Sequence, residues 1–135
     1  MPSSDKRSTL EFLNDGKRPP PFPASHIVLD DNYVFVSGLV AADIASEDDP
    51  AMGDVIAETR LVLSEVCQML ESVCCGMDRI VRVDVHLAKL DDIEDMNTSY
   101  REFFSSERFP ARTTTESPHL AGGSRVEFTV LARRS

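Results

Sequence analysis

The hydrophobic and polar positions of the chain change their period several times, and each change predicts an element. Two short apolar runs, residues 26–29 and 33–37, flank the polar triplet at 30–32, whose side chains favour tight turns. This arrangement predicts a β-hairpin that ends at Gly38. In the stretch RIVRVDVHL, apolar residues alternate from Val81 to Leu87, which predicts a strand with one buried face.

Between and after these strands the apolar residues recur every three or four positions, which is the period of a helix. This spacing predicts a long helix from about Asp54 to Cys75. Gly76 is expected to end it, because glycine tolerates left-handed backbone. A second amphipathic helix is predicted over residues 90–106, with Asp91 or Asp92 as its cap. Asn97 is the one amide on its otherwise apolar stripe, so it must find polar partners.

The two ends of the chain complete the predicted fold. FPARTTTES and SRVEFTVLARR are interpreted as two closing strands, joined by the turn at Gly122 and Gly123. Residues 1–23, which include the start of the proline-rich RPPPFPAS, predict an irregular arm, and residues 24–135 predict a single domain. The order β-β-α-β-α-β-β indicates an α+β fold, a mixed sheet with two helices on one face.

The predicted sheet has apolar side chains on both faces. Val34 and Val36 point to one face and Phe35 to the other, while both helices are expected on the same side. An apolar sheet face without a helix is usually buried against another subunit. The sequence therefore predicts an oligomer.

The composition and charge of the chain limit the binding partners and the cellular compartment that we expect. The net charge of −9 repels phosphate backbones, and no basic run exceeds Arg133-Arg134, so no nucleic-acid partner is expected. No apolar run approaches the roughly 20 residues that span a bilayer, so no membrane partner is expected. The three cysteines all fall near one predicted helix, which argues against a disulfide framework and predicts buried, reduced thiols in a cytoplasmic protein.

No common cofactor motif is present. His26, His86 and His119 lie far apart and lack metal-ligand spacings, and GLVAAD lacks the glycines of a phosphate-binding loop. We therefore predict neither a metal nor a cofactor. Ser37 precedes a glycine but lacks the flanking pattern of a hydrolase nucleophile.

Arg112 is the strongest candidate for a functional residue in the sequence. It follows Pro-Ala and precedes three threonines, which favour an extended backbone, so it is expected near the start of a strand. A guanidinium held there can bind a carboxylate through two parallel hydrogen bonds. The alternative is an ion pair with one of the 23 acidic residues. Glu116, on the same strand face, is a candidate for that pair or for a catalytic base.

Several stretches together resemble one known family. VFVSGLV, MNTSYREFF, FPARTTTES and VEFTVLA, within residues 24 to 132, resemble the RidA (YjgF-like) family of imine and enamine deaminases. The resemblance implies a chorismate-mutase-like α+β fold and a homotrimer with clefts between subunits. It also implies a small carboxylate ligand, a 2-imino acid, which the family converts to a 2-keto acid and ammonia.

The resemblance assigns roles to individual residues. Arg112 matches the arginine that binds the substrate carboxylate, and Ser37 and Gly38 match the strand-end pair that lines the cleft. Asn97 matches a helix asparagine with a structural role. Thr114 stands two residues past the arginine, where the family commonly has a cysteine; it is expected to help bind substrate, and either Thr114 or Thr129 is expected to position water.

Other positions depart from the family pattern. Ala24 stands at the usual tyrosine of the arm and Leu39 at the usual glutamine. The last strand of the family often has two glutamates separated by one residue, and the second of them positions water. Glu127 matches the first, but Thr129 stands in the place of the second. A carboxylate there activates the water, whereas a threonine hydroxyl is a poor base near neutral pH.

Two functions therefore stay open from the sequence. The first is a hydrolase in which Arg112 and Thr129 are catalytic, and in which Arg112, Ser37, Gly38 and Thr114 bind substrate. The second is a trimeric binder of small carboxylate metabolites without catalysis. An endoribonuclease, an activity also attributed to some relatives, is opposed by the net charge of −9.

Overall fold

A computed structural model describes residues 9–14 and 23–134, which form a six-stranded mixed sheet and two α-helices. The strands are β1 Glu11–Leu13, β2 Ile27–Leu29, β3 Tyr33–Val40, β4 Ile80–Leu87, β5 Ala111–Glu116 and β6 Val126–Arg133. The helices are α1 Val55–Ser72 and α2 Ile93–Tyr100. The strand order is β1-β2-β3-β6-β4-β5, and only the β4–β5 pair of this sheet is parallel. The predicted α+β class is confirmed.

The N-terminal hairpin is confirmed, with a different end. The Asp30 carboxylate accepts backbone hydrogen bonds from Asn32 at 2.8 Å and Tyr33 at 2.7 Å, which shapes the turn and lowers the pKa of Asp30. Strand β3 does not stop at Gly38 but continues to Val40, with a register shift between Val36 and Leu39. This bulge turns the strand where the sequence predicted its end.

The predicted hairpin at the C-terminal end is wrong. Strand β6 lies between β3 and β4 and pairs antiparallel with both, while β5 pairs parallel with β4 at the sheet edge. Burial explains this order, because β6 buries four apolar side chains, whereas the threonine-rich β5 is polar. Gly122 and Gly123, with φ of 65° and 73°, lie in the connection between these two strands.

The N-terminal segment is not wholly irregular. Residues Glu11–Leu13 form strand β1, which pairs antiparallel with β2 at the other edge of the sheet. Most of the proline-rich segment lies outside the described residues. The division into an arm over 1–23 and a domain over 24–135 stays a prediction.

Both helices begin or end differently from their predicted bounds. The Asp54 carboxylate caps α1 by accepting from the amides of Ile56 and Ala57, but the left-handed residue after α1 is Cys74, with φ 61°, rather than Gly76. Helix α2 is shorter than predicted because short 3-10 turns flank it on both sides. Asp92 precedes α2 without capping it, since its carboxylate instead binds Arg125.

The core lies between the helices and one face of the sheet. Phe128 of β6 is fully buried there, and its ring lies 6.3 Å from that of Tyr100 in α2. The predicted alternation of β4 is right from Val83 onward, but Ile80 is buried and Val81 is 41% exposed. A register shift between Ile80 and Arg82 moves Val81 out of the core.

The cysteines are free thiols, as predicted, but they are not all buried. Cys74 is exposed, while Cys67 and Cys75 are partly exposed. Desolvation raises the pKa of Cys67 and of Cys75, which keeps both thiols protonated at neutral pH. Within the described residues, no helix is long and apolar enough to cross a bilayer.

A buried carboxylate ties the start of α1 to the connection before β6. Glu58 is fully buried, and its two oxygens accept from the backbone N–H of Gly53 at 2.7 Å and of Arg125 at 2.8 Å. The Arg125 guanidinium in turn donates to the Gly53 carbonyl at 3.1 Å and to the Asp92 carboxylate at 2.5 Å. This network joins three segments that are distant in sequence.

We expect Glu58→Ala to lower the free energy of unfolding by about 2–4 kcal/mol, because two backbone donors lose their buried acceptor. Urea denaturation followed by circular dichroism measures this change. Glu71→Ala, at an exposed position of the same helix, is the control and is expected to change stability by less than about 0.5 kcal/mol. Equal stability of the two variants would contradict a structural role for this network.

Candidate functional site

Arg112 projects from the edge strand β5 toward the helices. It lies beside the buried Val83 in the parallel β4–β5 pair, so both side chains point to the helix face of the sheet. The Arg112 Cζ atom lies 4.9 Å from the centre of the Tyr100 ring, which is a cation–π contact. The aromatic face therefore fixes the position of the guanidinium without neutralising its charge.

In the part of the chain that the structure describes, Arg112 forms no ion pair with an acidic side chain. The ion pairs there are Arg60–Glu102, Arg82–Asp84 and Arg125–Asp92. The Glu116 carboxylate, which the sequence offered as a partner or base, instead accepts from the backbone N–H of Leu90 at 2.9 Å. Of the alternatives for Arg112, the ion pair is not observed among the described residues, and carboxylate binding stays a prediction.

A cavity of about 230 Å³ lies at this guanidinium. Among the described residues it is lined by two arginines and no acidic residue; the lining residues are Asn97, Tyr100, Arg101, Phe109, Pro110 and Arg112. The Tyr100 and Phe109 rings are roughly parallel, with centres 6.4 Å apart, and give the cavity an apolar wall. Such a lining suits a small anion with a short apolar body.

Two polar groups of the cavity residues are buried: the Asn97 Oδ1, which has no hydrogen-bond partner among the described residues, and the Tyr100 hydroxyl, which interacts with the Arg112 guanidinium but forms no well-aligned hydrogen bond with it. An unpaired buried polar atom costs about 1–3 kcal/mol, so each of these atoms is a candidate contact for a bound water molecule or a ligand. Burial raises the pKa of Tyr100 to about 12, although the nearby Arg112 charge acts in the opposite direction. The hydroxyl is therefore a neutral donor at physiological pH, while Asn97 Oδ1 is an acceptor.

Ser37, Gly38 and Thr129 lie together on the opposite face of the sheet, the open face, which neither α1 nor α2 covers. Thr129 of β6 lies beside Asp84 of β4 on this open face. A methyl group added at Gly38 would lie 3.0 Å from Glu127 Oε2 and 3.4 Å from Thr129 Oγ1, so the backbone passes close to both side chains. The Ser37 hydroxyl donates to the Ser25 carbonyl at 2.5 Å.

Within one chain the predicted site residues therefore form two groups. Thr114 lies beside Val85 and shares the helix face with Arg112, while Thr129 lies on the open face with Ser37. The sheet itself separates the groups, so they do not meet around a single ligand inside one chain.

The open face is polar at one end and apolar at the other. At the polar end, the His86 ring nitrogen Nδ1 is 2.7 Å from Thr115 Oγ1. Toward the other end Tyr33 is 36% exposed, Phe35 43% and Phe12 64%. The aromatic residues form an apolar patch that this chain leaves exposed.

Most residues of the cavity were not predicted from the sequence. Tyr100, Arg101, Phe109 and Pro110 were not proposed as site residues, and Asn97 was interpreted as structural. A signal was present, because residues three and four positions after Asn97 share its helix face, and Phe109-Pro110 closely precede Arg112. No cluster of three or more histidine, cysteine or acidic side chains that could hold a metal occurs within residues 9–14 and 23–134.

Comparisons with known proteins agree with this fold. A family model described as "Endoribonuclease L-PSP" matches residues 17–134. A 2-iminobutanoate/2-iminopropanoate deaminase of Capra hircus is 32% identical over 110 residues, covering 82% of this chain and 79% of the relative. A RutC family protein of Pyrococcus abyssi is 29% identical and covers 90% and 95%. The crystal structure of a putative endoribonuclease from Thermotoga maritima matches with a TM-score of 0.80 at 25% identity, covering 93% and 98%.

Proposed function

Because the chain belongs to the Endoribonuclease L-PSP family, the YjgF/RidA family, we propose that it hydrolyses reactive 2-imino and enamino acids to 2-keto acids and ammonia. The observation that carries this proposal is the Arg112 guanidinium, which stacks on Tyr100 in a cavity lined by no acidic side chain. Relatives at about a third identity that are named 2-iminobutanoate/2-iminopropanoate deaminase support it.

The cavity supplies complementary groups for a 2-imino acid. The carboxylate of the substrate binds the planar guanidinium of Arg112 through two hydrogen bonds. The Tyr100 hydroxyl donates a further hydrogen bond, and Asn97 Oδ1 accepts one from the N–H of the imine. These contacts hold the C=N carbon in one orientation, which removes much of the entropic barrier to attack by water.

Hydrolysis then needs a positioned water molecule and a proton for the leaving nitrogen. Water adds to the carbon of the C=N bond, the nitrogen gains protons, and the C–N bond breaks to leave the keto acid and ammonia. Thr129 holds the water through its hydroxyl, beside the Ser37-Gly38 backbone. Imines are reactive enough that orientation alone accelerates this reaction, although a carboxylate would accelerate it more.

This mechanism requires a second copy of the chain. Arg112 and Thr129 lie on opposite sheet faces, so one substrate contacts both only where neighbouring subunits meet. We infer a homotrimer in which the open sheet faces pack together and the apolar patch of Phe12, Tyr33 and Phe35 is buried. Each cleft between subunits then takes its arginine from one chain and its threonine from another.

The assembly is tested by light scattering after size-exclusion chromatography. We expect the mass of three chains of 15.0 kDa. Phe35→Lys should shift the protein toward monomers, because it places a charge in the buried patch. Leu90→Lys is the matched control, since Leu90 is 44% exposed and Phe35 43%, but Leu90 lies outside the sheet. A monomeric wild-type protein would contradict the shared cleft.

The activity is tested with 2-aminoacrylate, which a serine dehydratase generates in the assay. Formation of pyruvate and ammonia faster than in buffer supports a hydrolase. Calorimetric binding of 2-oxobutanoate without any acceleration would instead leave a carboxylate-binding trimer as the function. The second function is the alternative because Thr129 stands where the family has a water-positioning glutamate, and a threonine has no carboxylate to activate water.

A further inference from the structure

Arg101 is a second cation of the cavity that the proposed mechanism does not use. Its backbone N–H donates to the Asn97 carbonyl, so the helical spacing continues and both residues lie on the same helix face. Both also line the cavity with Arg112. The neighbouring Glu102 does not neutralise Arg101, because its carboxylate binds Arg60 through two hydrogen bonds of 2.9 and 2.7 Å.

The charge of the cavity is opposite to that of the chain. The protein has a formal net charge of −9, yet the described residues that line the cavity include two arginines and no acidic residue. Within the described residues, neither Arg101 nor Arg112 forms an ion pair. A ligand with a single carboxylate neutralises only one of these cations. A ligand with two carboxylates satisfies both.

We propose that this cavity selects 2-imino acids that carry a second carboxylate in the side chain, and that Arg101 is the residue that selects them. The inference rests on the proposed role of Arg112, which binds the carboxylate next to the imine. A cavity of about 230 Å³ accommodates an acid of four or five carbons, and the side-chain carboxylate then lies toward Arg101 at the rim. The substrate class is the imines of acidic amino acids.

The size of the preference follows from the exposure of Arg101. Its side chain is exposed, so its attraction for a carboxylate is screened by water and salt. An exposed pair of this kind changes affinity by about fivefold at low ionic strength. Arg112, which lies deeper against Tyr100, supplies the larger part of the affinity for both classes of ligand.

Calorimetric titration of two stable keto acids with five carbons tests the inference. The wild-type protein should bind 2-oxoglutarate about fivefold more tightly than 2-oxopentanoate at low salt, and added salt should reduce the ratio. Arg101→Gln should weaken the binding of 2-oxoglutarate more than that of 2-oxopentanoate, so that the two affinities become nearly equal. Arg101→Glu should reverse the preference. Lys89→Gln, an equal charge change at an exposed residue outside the cavity, should keep it.

Two outcomes would overturn the inference and leave the proposed function intact. One is equal affinity of the wild-type protein for the two acids, and the other is a preference that survives in Arg101→Gln. Binding of neither acid would overturn the proposed function together with this inference. If Lys89→Gln lost the preference to the same extent as Arg101→Gln, the preference would depend on the net charge of the protein rather than on Arg101. That result would also overturn the inference.

Discussion

Replacing Arg112 with alanine is expected to weaken the binding of 2-oxobutanoate by about 100-fold or more, measured by calorimetry. The reason is that the two charge-assisted hydrogen bonds to the ligand carboxylate disappear together. The fold should persist, because Arg112 is only partly buried and forms no ion pair with the described residues that its loss would leave unpaired.

Two further variants separate the fork geometry of Arg112 from its charge. Arg112→Lys keeps the charge but loses the planar pair of donors, so we expect an intermediate loss of about tenfold. Arg108→Ala removes a nearby exposed arginine that does not line the cavity, and binding should stay at the wild-type level. Equal affinity of Arg112→Ala and the wild-type protein would remove the central premise of the proposed function.

The elements of the fold that the sequence predicted well are those that depend on local periodicity. The apolar spacing of α1 and the turn at Asp30 are properties of neighbouring residues, and both are observed close to their predicted bounds. The order of the strands is a property of distant residues. The pairing of β6 with both β3 and β4 could not be derived from the turn at Gly122.

The site residues could likewise be predicted from local patterns, but not their arrangement across strands. Arg112 was identified because its chemistry and its flanking residues are visible in the sequence, and alternation correctly placed Thr114 on its face. The alternation of residues shows which side chains of one strand share a face. It does not show which side chains of another strand lie on the same side of the sheet. For this reason the sequence could not show that Thr129 lies on the opposite side of the sheet from Arg112.

Tyr100 illustrates why the cavity itself was missed. In the sequence it belongs to the apolar stripe of α2, which is the expected position of a core residue. In the structure it is 3% exposed, as expected for the core, yet its ring also supports Arg112. One side chain thus serves the packing and the site at once. No sequence pattern separates these two roles.

Thr129→Glu is expected to raise the rate of imine hydrolysis by about 100-fold, the lower end of what general acid–base catalysis contributes. A glutamate at this position extends from the open face beside Gly38, where the water molecule is proposed to lie. The rate should fall as the pH is lowered through the pKa of the new carboxyl, since the protonated carboxyl is no longer a base.

The matched control is Thr129→Gln, which has nearly the size of glutamate but cannot accept the proton. It should hydrolyse 2-aminoacrylate no faster than the wild-type protein, and its pH profile should lack the additional acidic limb. Stopped-flow measurement of enamine loss across pH 5–9 compares the three proteins. An increase of equal size in both variants would mean that shape rather than proton transfer limits the reaction. An unchanged rate in Thr129→Glu, with 2-oxobutanoate still bound at Arg112, would mean that the proposed cleft holds a carboxylate and does not hydrolyse an imine.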